Sequence, residues 1–151
     1  MELMERQTEE LINTLKKMDI SELGGFFEEN FSGGEPDFYK YIDGILKEKE
    51  LKRQDVIIRA NFSQKYGYKL LSGEAHTTDR DKIIRLCFSM ELTLKETQRA
   101  LRLYGLSELY PKVKRDALLI TALGRKIFDI DTVNELLQKE GCPSLYNSGE
   151  E

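Results

Sequence analysis

Gln64, Lys65, Tyr68 and Lys69 stand on two adjacent i, i+4 ridges of the segment SQKYGYKLLSG, residues 63–73. They are long side chains of the kind that reach base edges or phosphates in a major groove. The chemistry they suit is recognition rather than bond-making: Gln presents an amide that pairs with adenine, and Lys donates to guanine. Reaction chemistry finds less to work with. The chain has one histidine, His76, and it falls in a polar loop where solvent exposure and a phosphate contact are both open. There is no P-loop, dinucleotide glycine fingerprint, metal-ligand cluster or nucleophile paired with a histidine. The acidic pairs Glu9-Glu10 and Glu28-Glu29 read as solvated helix faces. Tyr66 and Tyr68 lack the basic-aromatic interleaving of a single-strand binder. No enzyme activity, catalytic residue, metal or cofactor is expected.

The elements that must position the polar ridges are legible in LKRQDVIIRANFSQKYGYKLLSG, residues 51–73. A first helix is predicted from Arg53 to Ala60, with Val56, Ile57 and Ala60 on one face. Asn61 supplies the turn because Asn tolerates the left-handed conformation. Phe62 plugs the space beneath it. Ser63 caps a second helix from Gln64 to Ser72, which Gly73 ends. Two short helices joined in this way form the pattern of a helix-turn-helix.

With its polar start, turn, Ser-capped second helix and closing Gly, the stretch from Phe38 to Glu91 resembles the Xre-type, lambda-repressor-like family of bacterial and phage regulators. The resemblance implies a lambda-repressor-like bundle that binds double-stranded DNA as a homodimer, with the 63–72 helix in the major groove. It implies base contacts from Gln64, Lys65, Tyr68 and Lys69, and a backbone contact from Arg53. Lys52, Tyr66, Ser72 and Lys82 are further candidate phosphate partners. The chain departs from the family at Gly67, where a branched apolar residue is usual, and at Ile57, where Ala is usual. Those positions face each other in the family, so the pair reads as a compensated volume swap. Downstream, TLKETQRALRLYGLSELYPKVKRDALLITALGRK, residues 93–126, resembles the carboxy-terminal extension of a subset of Xre-type proteins.

Length and composition bound the rest. A chain of 151 residues with 40% hydrophobic side chains suits one compact domain with an appendage. No apolar run approaches about 18 residues and no basic-then-apolar leader is present, so a cytoplasmic protein with no membrane association is expected. Cys87 and Cys142 give neither a disulfide framework nor metal spacing. Cys87 lies with Ile83, Ile84 and Phe88 on a core stripe, and Cys142 is expected as an exposed thiol. The formal charge of −4 is unevenly spread. Residues 1–50 carry 6 basic and 13 acidic side chains, residues 51–126 carry 16 and 8, and residues 127–151 carry 1 and 6. A basic middle between acidic ends suits a module that meets phosphate, although charges of this kind also simply solvate helices.

Nearly every segment has a helical period and none alternates usefully, so the fold class is all-α. Residues 1–35 read as an acidic amphipathic helical segment and linker. Its apolar positions are Leu3, Leu11, Ile12, Leu15 and Met18, then Ile20, Leu23, Phe26, Phe27 and Phe31 after Asp19. Ser32 to Pro36 marks a boundary. Residues 36–92 form the helix-turn-helix domain, opened by a helix from Asp37 through Lys49 and closed by a helix capped by Asp79. Residues 93–141 form a helical extension packed on it. It comprises a Thr93/Glu96 capping box with a helix to Tyr104, a Tyr110-Pro111 turn, a helix from Arg115 to Lys126 and a last one from Asp131 to Glu140. Residues 142–151 read as a flexible tail. For the basic block Lys112, Lys114 and Arg115, DNA backbone contact and plain solvation are both open.

Two functions follow. One is a sequence-specific double-stranded DNA-binding transcriptional regulator. The other is a protein-interaction module on the same fold without DNA binding, such as an adaptor, an antitoxin-like neutraliser or a phage-encoded inhibitor, in which the acidic amino-terminal segment meets a protein partner. That segment is also the stronger candidate for a homodimer interface, against the competing reading that it packs within one chain.

Overall fold

The computed structural model describes residues 2–22 and 37–145, the side chains of residues 2–8 and 11 excepted. The side chains of Leu3 and Leu11, the apolar positions Leu23, Phe26, Phe27 and Phe31, the Ser32 to Pro36 boundary and most of the tail lie outside the described residues. Among those described, every regular element is helical and there is no strand, as the periodicity predicts. The chain divides into two compact units, Met1–Glu35 and Pro36–Glu151.

The first unit contains α1 (Glu2–Lys17) and a single 3-10 turn (Ile20–Glu22). Ile12, Leu15 and Ile20 are exposed apolar side chains.

The second unit contains α2 (Phe38–Glu48), α3 (Arg53–Arg59), α4 (Gln64–Ser72), α5 (Arg80–Ser89), α6 (Leu94–Leu103), α7 (Lys114–Gly124) and α8 (Ile130–Lys139). Most of the starts are capped by the chain itself. The carboxylate of Asp37 accepts from Lys40 N–H at 2.9 Å. Ser63 Oγ accepts from Tyr66 N–H at 3.2 Å, and Asp79 from Asp81 N–H at 3.0 Å. Thr93 and Glu96 close the expected reciprocal box at the start of α6. The last helix begins a residue earlier than expected because Asp129, rather than a later residue, caps it.

The helix ends share one device. After each of α2, α3, α5, α6 and α7 comes a residue with positive φ: Glu50 (55°), Asn61 (63°), Glu91 (57°), Gly105 (84°) and Lys126 (59°). The next residue is apolar, and its N–H reaches back to a carbonyl of the last turn. Leu51 donates to Leu46 at 2.8 Å, Phe62 to Ile57 at 3.1 Å, Leu92 to Cys87 at 3.2 Å, Leu106 to Leu101 at 2.9 Å and Ile127 to Ala122 at 2.9 Å. At Glu50, Asn61 and Glu91 the following helix starts three residues later. The same tight connection is therefore used three times, before α3, α4 and α6, and the Asn61 turn is one of the three.

α5 is the centre of the unit. Every residue from Lys82 to Ser89 is buried, and α5 packs against α3, α6 and α8. Cys87 is core packing, as expected: burial pushes its thiol up to about 12. Two reciprocal ion pairs tie the start of α5 to α7. Arg80 grips the buried Asp116 carboxylate at 2.7 and 3.2 Å, and Arg115 grips Asp81 at 2.8 and 2.9 Å.

Gly67 sits where α4 crosses α3. A methyl group there would lie 2.7 Å from Ile57 Cγ1 and closer still to Cγ2, so the two positions face each other and the branched volume belongs to Ile57 alone. Gly67→Ile should overpack this crossing and cost roughly 1 to 3 kcal/mol, and adding Ile57→Ala should recover much of the loss. Urea titrations of both singles and the double measure it; purely additive losses would show that the volumes are not exchangeable.

Candidate nucleic-acid interface

α4 turns Gly67, Leu70 and Leu71 inward, which leaves Gln64, Lys65, Tyr68 and Ser72 exposed on the opposite side. Lys69 and Tyr66 are half-buried at the edge of that face. The helix stops where Gly73 takes a φ of 89°. Any side chain at Gly73 would also press on the Tyr39 ring, 3.1 Å away, so both conformation and space require glycine.

Beside this face lies a shallow cavity of about 550 Å³ lined by Asp43, Lys47, Lys52, Arg53 and Tyr68 among others. It brings together two expected backbone contacts, Lys52 and Arg53, with the expected base contact Tyr68. Arg53 Nη2 lies 2.7 Å from Asp43 Oδ1, and Lys47 Nζ lies 3.1 Å from Asp43 Oδ2. Hydrogen bonds from Lys47 and Arg53 hold the Asp43 carboxyl below its usual range. Three cations and a phenol stand there against two carboxylates, Asp43 and Glu50, and with Asp43 displaced from Arg53 the cations suit an anionic oxygen cluster such as a phosphodiester.

The other expected contacts are placed differently. Lys82 is 8% exposed; its ammonium donates to the Tyr66 hydroxyl at 3.2 Å and sits 4.9 Å from the ring centroid. It braces Tyr66 from within, because α5 buries this face against α4, and it is not held out as a phosphate partner. Ser72 Oγ donates to the Lys69 carbonyl at 3.2 Å and accepts from Glu74 N–H at 3.4 Å, so it finishes the helix. In the basic block, Arg115 is turned inward to Asp81, and Lys114 donates to the Glu140 carbonyl at 2.9 Å. His76 is exposed but stacks on Tyr104, with ring centroids 4.8 Å apart and planes 12° off parallel. Cys142 is half-buried rather than open to solvent.

The residue that sequence reasoning missed is Arg85. It is fully buried. Its Nε donates to the Ala60 carbonyl at 2.9 Å and its Nη2 to the Asn61 carbonyl at 3.0 Å. The guanidinium lies 4.2 Å from the Phe62 ring centroid, and Phe62 in turn packs on Tyr66 at 5.6 Å. A ladder of Arg85, Phe62, Tyr66 and Lys82 thus fixes the start of α4 on α5. The signal was available: Arg85 stands between Ile84 and Leu86 in a run that is otherwise core, and a charge in that position needs partners.

A second groove, about 780 Å³, runs between the α3–α4 turn and α8. Ile58, Asn61 and Ser63 form one side, and Asp131, Glu135 and Gln138 the other. Ile58 is 54% exposed there. Among the described residues no group of three or more His, Cys, Asp or Glu is arranged to hold a metal ion, and no helix is long and apolar enough to cross a membrane. No family model, curated protein or solved structure matches the chain.

Arg85→Met keeps an apolar stem but strands the Ala60 and Asn61 carbonyls, and it should cost about 3 kcal/mol. Amide exchange should accelerate first in α4, whose seat is lost. Urea denaturation and hydrogen exchange check this, and a variant as stable as the parent would mean that the turn holds without the arginine.

Proposed function

We propose that this chain is a sequence-specific double-stranded DNA-binding transcriptional regulator on a lambda-repressor-like helix-turn-helix fold, with α4 in the major groove. The observation that carries the reading is the exposed α4 face set beside the cationic cavity of Lys47, Lys52 and Arg53. In this reading Gln64 and Lys65 meet base edges at the start of α4, with Tyr68 and Lys69 one turn on. Arg53 and Lys52 hold the backbone, and Tyr66, braced by Lys82, offers its edge to a neighbouring phosphate. Fixing α4 through Arg85 and Phe62 supports it too, since direct readout needs a rigidly held helix.

A second reading is favoured by the other groove. With exposed Ile58 on one side and Asp131 and Glu135 on the other, it suits a protein segment carrying a basic side chain next to an apolar one. That is the protein-interaction module, a role that does not require duplex binding. Salt separates the two, because counterion release makes DNA affinity fall steeply as salt rises.

Selection from random duplexes should return a defined site. On that site Gln64→Ala and Lys69→Ala should each lose about 1 to 3 kcal/mol and relax one base position. Arg53→Ala should weaken specific and random DNA alike and lower the salt slope by about 1. If the three variants shift specific and random duplexes equally, α4 is not the reading element.

The proposed regulator acts as a homodimer, since one helix reads only a few base pairs and related regulators pair two across half-sites. The exposed Ile12, Leu15 and Ile20 of the first unit offer apolar surface for that contact. Deleting residues 1–35 should yield a monomer by light scattering. A truncated protein that stays dimeric at the same concentration places the interface elsewhere, and a full-length monomer both free and on DNA removes the dimer.

A further inference from the structure

Of the two carboxylates that line the cavity, Asp43 and Glu50, Asp43 is the one that pairs with its cations. It binds Arg53 at 2.7 Å through one oxygen and Lys47 at 3.1 Å through the other, from a position 38% exposed in its side chain. Each partner is itself more exposed, 47% for Arg53 and 79% for Lys47. Neither cation is therefore needed to neutralise a buried charge, and both have room to swing to another anion. Partly exposed ion pairs of this kind add little to stability. Their effect on a ligand is larger, since a phosphate oxygen approaching Arg53 meets the same donors that Asp43 already occupies and the repulsion of Asp43 itself.

We infer that Asp43 is an internal competitor for phosphate, a positioning residue that occupies Arg53 and Lys47 in the free protein and lowers sequence-independent affinity for duplex DNA. The inference rests on the DNA-binding reading. Entry of DNA exchanges the Asp43 contacts for phosphate contacts, so the backbone term is discounted while base contacts from α4 are not. The ratio of specific to random binding rises as a result.

The test compares the full chain with Asp43→Asn, Glu48→Gln and Arg53→Gln, and with the double variant Asp43→Asn/Arg53→Gln, on a random-sequence duplex across a salt titration. Glu48 is exposed on the same helix and changes net charge by the same amount. Asp43→Asn should bind about tenfold tighter near 50 mM salt, with a slope steeper by about 0.9, the share of one extra phosphate contact. Glu48→Gln should change little. In the Arg53→Gln background the gain from Asp43→Asn should shrink severalfold. Thermal melts of the same variants should coincide within the small range expected of an exposed pair. Equal gains from Asp43→Asn and Glu48→Gln would overturn the inference in favour of net charge, as would a gain undiminished without Arg53. Weaker binding by Asp43→Asn would overturn it by making the carboxylate a support for the clamp. Failure of both parent and Asp43→Asn to bind any duplex would overturn the DNA-binding reading itself, whereas binding by Asp43→Asn alone would support both.

Discussion

The arrangement around the α3–α4 turn depends on one buried charge. Arg85 enters the core from α5 and donates to the last carbonyls before and within the turn, those of Ala60 and Asn61. Carbonyls at a helix end have no partner in their own helix, and burying them unsatisfied costs about 1 to 3 kcal/mol each. The guanidinium answers two of them at once and stacks on Phe62, the residue that the turn drives into the core. Removing the arginine therefore does more than open a hole. It withdraws the reason for the chain to turn over α5 at this point, and with it the register that sends Gln64 and Lys65 outward and Gly67 inward.

That register passes along a chain of short contacts. Phe62 carries Tyr66, Tyr66 is held from beneath by Lys82, and Gly67 lets α4 close onto Ile57. The crossed pairs of Arg80 with Asp116 and Arg115 with Asp81 then lock the start of α5 to α7. Asp116 is almost wholly buried, and its carboxylate is satisfied by Arg80 and by the Tyr110 N–H, the latter at 2.9 Å. Arginine thus fixes α5 at its start, to carboxylate, and at its middle, to backbone. The recognition-like face of α4 is built on an element with little freedom to move.

Local chemistry explains which parts were legible in the sequence. Asn61, Ser63, Gly73 and the Thr93/Glu96 box each announce a backbone conformation or an N-cap by residue type, and the structure uses all of them. The Gly67/Ile57 pair was readable because the family resemblance implies that the two positions face each other, and volume at a crossing must be conserved. Glu50 and Glu91 were not readable, since glutamate has no preference for positive φ; only the apolar residue after each, Leu51 and Leu92, shows that the turn is driven by burial. The cations failed for a related reason. Periodicity marks a residue as facing in or out but not its partner, so Lys82 and Arg115 read as available to a ligand or to solvent while tertiary packing turns them inward, and Arg85 was not singled out. Asp43 was invisible for the converse reason, as its partner Arg53 lies on another helix.

This inward commitment changes how the charge of the middle segment bears on function. Its count of basic residues overstates what a polyanion would meet, because Arg80 and Arg115 neutralise acids within the protein and Arg85 serves the turn. Lys52, Lys65 and Lys69, by contrast, make no ion pair with any described residue, and they lie on or beside α4. Subtracting the structural cations therefore leaves these three lysines in place on or next to α3 and α4. Across the turn, Asp131 and Glu135 border the same helix start with the opposite sign. A duplex approaching α4 would be drawn to one flank and repelled from the other, and a field of that shape sets orientation as well as affinity.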